Sequence, residues 1–247
     1  MMLEASVQKL HELRLDQMAA GLREQQATPT LYAELSFEER LGLLVDRECT
    51  SRESRKLANL LKKAKLRYPG ACLEEVDFRT PRGLHKDVLL TLARNGWIAG
   101  KQNVILTGPT GVGKTFVACA LGNSACRAGI STWYTRLPRL LQELAIARAD
   151  GSYGKLLTWL ARISVLIIDD WGLAPLADRE RRDLLEVLED RHEVSSTIIS
   201  SQLPIEQWHE IIANPTVADA VCDRLLHNSH KLILKGESMR KLQSKLT

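Results

Sequence analysis

Eight consecutive residues, Gly108-Pro109-Thr110-Gly111-Val112-Gly113-Lys114-Thr115, constrain this chain more than any other stretch. They fit the pattern GxxxxGK[ST], follow the apolar run Val104-Ile105-Leu106, and open the apolar segment Phe116-Val117-Ala118-Cys119-Ala120-Leu121. Strand, glycine loop and helix in that order let backbone N–H groups wrap a phosphate chain at the positive end of a helix dipole. Nucleotide binding is therefore assigned to Gly108, Pro109, Thr110, Gly111, Val112, Gly113, Lys114, Thr115 and Phe116. Lys114 is expected to reach the β- and γ-phosphates of ATP, and the Thr115 hydroxyl to ligate Mg²⁺.

A nucleoside triphosphatase also needs a carboxylate on a neighbouring strand, and Val165-Leu166-Ile167-Ile168-Asp169-Asp170 supplies four apolar residues and then two acids. Asp169 is the expected magnesium partner. Asp170 either orients and deprotonates the attacking water or caps the turn before Trp171-Gly172. Another strand, Thr197-Ile198-Ile199-Ser200, runs into Ser201-Gln202, either of which can sense the γ-phosphate.

Around these motifs the chain changes character. The first 67 residues hold one proline and one glycine besides Gly42 and show helical spacing of apolar residues at Leu10, Leu13, Met18 and Leu22. Gly21 and the Gln25–Pro29 stretch are expected to break the first helix. Ser36-Phe37-Glu38-Glu39 has capping-box spacing for a second helix, and Thr50-Ser51-Arg52-Glu53 repeats it for a third. Tyr68-Pro69-Gly70 should end that third helix, followed by a hinge-like stretch through Thr80-Pro81-Arg82-Gly83. The boundary is placed near residue 77, giving a small all-helical domain over 1–77 and an α/β domain over 78–247. Strands are expected at 103–107, 131–135, 165–169, 197–200 and 231–234, mostly as continuous apolar runs, the mark of a parallel sheet flanked by helices on both faces.

Charge is unevenly spread. Of the net +4, residues 52–67 (RESRKLANLLKKAKLR) contribute seven basic side chains against one acid. Leu57, Leu60, Leu61 and Ala64 form an apolar stripe there, and Arg52, Arg55, Lys56, Lys62, Lys63, Lys65 and Arg67 fall mostly away from it. With opposite charges almost absent from the segment, it reads as a DNA-contacting helix that grips phosphates of a duplex with weak sequence preference. Arg148, Arg179, Arg181 and Arg182 either line a DNA channel or face solvent. The five cysteines form no CxxC pair and read as buried thiols. No uncharged stretch exceeds 12 residues and the amino terminus is charged throughout, so no membrane association and a cytoplasmic location are expected.

The residues together resemble the AAA+ ATPases of the IstB/DnaC group, specifically the IstB-like transposition helper proteins. Besides both nucleotide motifs, the resemblance rests on Arg52-Glu53-Ser54-Arg55-Lys56, Leu61-Lys62-Lys63-Ala64-Lys65, Asp77-Phe78, Asp223-Arg224-Leu225-Leu226 and Gly236-Glu237-Ser238-Met239-Arg240. It implies a P-loop AAA+ sheet; in one departure from many AAA+ proteins, only about a dozen residues follow the last expected strand, so little or no carboxy-terminal lid is expected. It also implies a homo-oligomer on DNA with each nucleotide held between subunits. In that family's pattern Arg224 matches the arginine finger acting on a neighbour's ATP, and Arg240 the second sensor, without which it is an ordinary surface arginine. The catalytic set is thus Lys114, Asp170, Ser201, Arg224 and Arg240. The implied function is regulation of transposition: assembly on target duplex, recruitment of a partner transposase, and disassembly on hydrolysis. A DnaC-like helicase loader is the alternative on the same fold. A small-molecule phosphotransferase would leave the basic helix without a use, and a nucleotide-gated DNA-binding module would show negligible turnover.

Overall fold

A computed structural model describes residues 2–239. Contacts divide the chain into two units, Met1–Asn59 and Leu60–Thr247.

The first unit is all-helical, built from α1 (Met2–Glu12), α2 (Asp16–Ala27) and most of α3 (Phe37–Ala64). The break between α1 and α2 falls at Arg14, which takes a left-handed φ of 58°, and not at Gly21. Gly21 lies inside α2, where a Cβ would come 2.7 Å from Leu44 Cδ2, so the glycine permits close helix packing. The expected capping box is present: Ser36 N donates to Glu39 Oε2 at 2.7 Å, and Glu39 N to Ser36 Oγ at 3.2 Å. The matching pattern at Thr50 starts nothing. No glycine or proline lies between Gly42 and Pro69, and without a break the backbone keeps its i→i−4 bonds, so the expected second and third helices are one helix of 28 residues.

The second unit carries a five-stranded sheet of β1 (Asn103–Thr107), β2 (Thr132–Arg136), β3 (Val165–Trp171), β4 (Ser196–Ser201) and β5 (Ser229–Ile233). The order is β2-β3-β4-β1-β5 and every pairing is parallel. Helices α4 (Lys86–Ala93), α5 (Gly96–Ala99), α6 (Lys114–Arg127), α7 (Leu137–Ala149), α8 (Tyr153–Arg162), α9 (Asp178–Arg191), α10 (Trp208–Ile212) and α11 (Pro215–Leu226) complete the unit. Ile105, Leu166, Ile168 and Ile199 share one buried cluster with side chains of α7, α9 and α11. Ile167 points the other way, toward Gly122 of α6. Both faces are covered, which is why the strands read as unbroken apolar runs.

The division at Asn59–Leu60 replaces the boundary expected near residue 77. Ala64, Leu66, Ala71 and Val76 are buried, and Asn123 of α6 donates to Pro69 O at 3.2 Å, so this stretch belongs to the sheet-bearing unit. Nor is 80–83 a hinge. Arg82 is 5% exposed, its carbonyl accepts from Lys235 N at 2.8 Å, and a Cβ on Gly83 would stand 2.7 Å from Ile233 O. Only Cys119 and Cys126 are buried, Cys49 being exposed. Among the described residues no helix is long and apolar enough to cross a membrane.

Candidate nucleotide-binding site

The glycine loop leaves the carboxyl end of β1 and enters α6 at Lys114. Gly108 takes φ 142° with a hypothetical Cβ 2.0 Å from Leu234 O, and Gly113 takes φ 99° with one 2.4 Å from Arg82 Nη1. Neither position accepts a side chain, so the backbone itself forms the cradle. Arg82 stitches it from behind, donating to Val112 O at 2.8 Å and Asp77 O at 2.7 Å. The carboxy-terminal segment closes another side, with Leu234 N on Thr107 O at 2.8 Å and Met239 N on Gly111 O at 2.9 Å. Beside the loop lies a cavity of about 240 Å³ whose walls include Tyr68, Asp77, Arg82, Thr115, Phe116 and Met239.

Lys114 is buried and donates from Nζ to Gly108 O at 2.7 Å and Pro109 O at 2.9 Å. Burial pushes its pKa down, while Asp169 and Asp170 push it back up. Phosphate oxygens offer the ammonium a charge-assisted replacement for those two carbonyls.

A register shift brings the two acids together. Ile168 pairs with Ile199 and Trp171 with Ser201, so β3 carries one more residue than β4 over this step, and Asp170 takes φ 58°. In an unbroken strand adjacent side chains point to opposite faces; the bulge re-aims Asp170. Asp169 is 1% exposed, and its Oδ2 accepts from Thr115 Oγ1 at 2.9 Å and from the Tyr134 hydroxyl at 2.8 Å. Asp170 faces Arg136 Nη1 at 4.0 Å. Burial, then Asp169, raises the Asp170 carboxyl above its ordinary range, against the pull of Arg67, Arg136 and Lys114. A hydroxyl beside a carboxylate, next to a cradle that excludes side chains, is an oxygen donor set suited to Mg²⁺, which takes few protein ligands and completes its shell with phosphates and water.

Other expected site residues fall differently. Ser201 is wholly buried, donating to Trp171 O at 3.0 Å and accepting from Leu203 N at 3.1 Å, so its hydroxyl secures the strand end and does not face the loop. Gln202 does, accepting from Thr110 Oγ1 at 2.7 Å. Arg240 lies outside the described residues. Arg82, Tyr134 and Arg136 were missed from the sequence; the last two lie on β2 beside β3, Tyr134 in mid-strand and Arg136 at the carboxyl end, where parallel sheets place their ligands.

The basic segment divides into structural and free members. Glu48, whose side chain is 4% exposed, binds Arg52 at 2.8 Å and Arg55 at 3.5 Å while accepting from Gln17 N at 2.8 Å and Met18 N at 3.3 Å. The acid that pairs these arginines lies just before the run, so Arg52 and Arg55 are tied into the helical unit. Arg67 stands 4.0 Å from Asp169 Oδ2, at the nucleotide site and not with the lysines. Lys56, Lys62, Lys63 and Lys65 are exposed. Arg148 binds Asp183 at 2.6 Å and lies over the Tyr153 ring at 3.6 Å; Arg181 donates to Leu176 O and Ala213 O. Neither faces solvent freely.

Arg224 is at the opposite end of the sheet from the loop. Asn103, the first residue of β1, donates to Arg224 O at 3.1 Å and Leu225 O at 3.2 Å, and the guanidinium pairs with Glu189. The length of β1, about 13 Å at 3.3 Å per residue, separates it from its own glycine loop.

A parallel sheet of this order with the glycine loop after β1 and paired acids near the carboxyl end of β3 defines a P-loop AAA+ domain. In line with this, the crystal structure of DnaI superposes with a TM-score of 0.57 over 72% of this chain and 93% of that one, at 20% identity. The IstB-like ATP binding protein family matches residues 8–247, and the chain belongs to that family. Its relatives include the insertion sequence ATP-binding protein y4pL of Sinorhizobium fredii, 52% identical over 85% of each chain. The insertion sequence IS1162 ATP-binding protein of Pseudomonas fluorescens is 53% identical over 83% of this chain and 88% of that one.

Proposed function

We propose that this chain is an ATP-dependent regulator of transposition. It assembles as a homo-oligomer on target duplex DNA when ATP is bound, recruits and stimulates a partner transposase, and disassembles after hydrolysis. The observation that carries this reading is the Thr115–Asp169–Asp170 arrangement beside the glycine cradle, in a chain whose relatives are ATP-binding proteins of insertion sequences.

Lys114 exchanges two carbonyls for phosphate oxygens, and Thr115 with Asp169 would hold a magnesium ion, which would neutralise developing phosphate charge when bound. Asp170, its carboxyl raised by burial and by Asp169 toward the basicity a general base needs, orients the attacking water and accepts its proton. Gln202 follows the loop through Thr110. Arg224, remote from its own loop, acts on the nucleotide of a neighbouring copy. Lys56, Lys62, Lys63 and Lys65 meet DNA phosphates. A helicase loader would share the fold, but the relatives that span most of the chain are insertion-sequence proteins.

Electron microscopy of the protein with duplex DNA tests the assembly. Multi-subunit particles on DNA with ATP, lost with ADP, are expected; the same isolated particles under both conditions would refute it. Turnover tests the chemistry: the native protein with DNA must hydrolyse ATP faster than Asp170→Asn.

A further inference from the structure

Arg67 is placed with unusual care for an exposed arginine. The residues on either side are anchored: Leu66 is 6% exposed and its Cδ2 would lie 3.1 Å from a Cβ on Gly122, while the Tyr68 ring stands 6.2 Å from that of Phe116. Between these anchors the guanidinium reaches over the Tyr68 ring at 5.9 Å and stops 4.0 Å from Asp169 Oδ2. That separation is an ion pair but longer than the 2.7–2.9 Å of a charge-assisted hydrogen bond. The same oxygen already accepts from Thr115 and Tyr134, and 41% of the Arg67 side chain remains exposed. Arg67 is therefore attracted to the acid without being locked to it, and one carboxylate separates it from the phosphate-binding loop.

Asp169 is also the acid that would hold Mg²⁺. A cation beside it is favourable only while the carboxylate lacks another counter-ion; a divalent ion in its place repels the guanidinium. The planar fork of an arginine matches a phosphate bidentately, and the half-exposed arm has no direct hydrogen bond to the acid, so turning to a phosphate gives up only the 4.0 Å ion pair and its interaction with the Tyr134 hydroxyl. The neighbouring Asp170 marks this edge of the site as the end where the terminal phosphate lies.

We infer that Arg67 is a triphosphate-specificity residue: it neutralises Asp169 in the nucleotide-free site and passes to the γ-phosphate when a nucleoside triphosphate enters with its metal. This rests on the nucleotide reading above. It also removes Arg67 from the DNA-contacting set and gives the linker after α3 a part in telling triphosphate from diphosphate.

Equilibrium titration of ATP and ADP, each with Mg²⁺, tests it on the native protein, Arg67→Ala and Arg67→Gln, with thermal melting as the check on folding. Arg67→Ala should bind ATP on the order of tenfold to a hundredfold more weakly, the loss of a hydrogen bond to a charged group, with ADP affinity within about twofold of native. Arg67→Gln, which keeps two donors but no charge, should fall between; if the alanine variant fails to fold, the glutamine variant must show the same selective loss. Equal losses for ATP and ADP, or no loss for either, would overturn the assignment. A native protein that binds neither nucleotide would overturn the nucleotide reading itself, a result distinct from an unchanged ATP-to-ADP ratio.

Discussion

Arg224 of α11 is ion-paired with Glu189 of α9, at the end of the sheet where β1 begins, while the phosphate loop lies where β1 ends. The pair is largely solvent-facing on the Glu189 side, and Glu189 is held below the ordinary carboxylate range first by its hydrogen bond from Arg224. An exposed pair of this kind stabilises a fold by no more than about 1 kcal/mol. Its location, not its strength, is informative, because the guanidinium cannot reach the nucleotide of its own chain.

Arg224→Ala should therefore melt within a few degrees of the native protein yet lose ATP turnover by about 10³–10⁵, the range for removal of an arginine finger. Complementation separates a finger in trans from a structural effect. Lys114→Ala subunits cannot hold phosphate but still present Arg224, and Arg224→Ala subunits can hold phosphate but lack the finger. Mixed in the presence of duplex DNA, the two inactive variants should recover part of the turnover. Two variants that stay inactive when mixed, with native-like assembly, would refute action between copies.

Asp170 leads to a prediction in pH. Burial and Asp169 raise its carboxyl, while Arg67 and Arg136 lower it. If turnover requires the ionised form, the rate falls on the acid side as pH drops through that pKa. Arg136→Ala removes a positive charge 4.0 Å from the carboxylate, so protonation becomes easier and the acid limb moves to higher pH. The measurement is turnover against pH at saturating ATP for both proteins. An acid limb that stays in place, or moves to lower pH, would show that Asp170 does not set it.

Much of this site was legible because its motifs carry strict backbone requirements. GPTGVGKT has glycines where the cradle admits no Cβ, and the run Val165–Ile168 had to be a covered strand, which placed Asp169 at its carboxyl end. The bulge that re-aims Asp170 left no mark, since a φ of 58° at an aspartate is set by the register between β3 and β4. Gly21 misled for a related reason: a glycine that breaks a helix and one that lets a second helix approach are the same letter, and only the Leu44 contact decides. The basic run misled at one end because its counter-ion, Glu48, stands four residues before Arg52. Arg82 gave no signal, since its value lies in reaching the carbonyls of Val112 and Asp77 from a stretch that looked like a hinge.

The split within the basic segment leads to the last prediction. Lys62, Lys63 and Lys65 are exposed, and none has an ion-pair partner among the described residues, so their replacement by Glu should remove DNA binding at moderate salt while ATP affinity stays native. Each lysine that meets a phosphate contributes about 0.9 to the slope of log affinity against log salt, so the triple Ala variant should flatten that slope by up to about 3. Arg52→Ala should instead lower the melting temperature and leave the salt slope as it was, because Arg52 serves Glu48. The Glu48 carboxyl is held below its ordinary range, first by the Arg52 hydrogen bond and also by the N–H groups of Gln17 and Met18, against the opposing effect of burial. A depressed carboxylate contributes stability above its unfolded pKa, near about 4.3, and loses it as pH falls through the folded value. The melting gap between native protein and Glu48→Gln should accordingly be full at neutral pH and close in acid. If Arg52→Ala flattens the salt slope and the lysine variants do not, the assignment of the two groups is reversed.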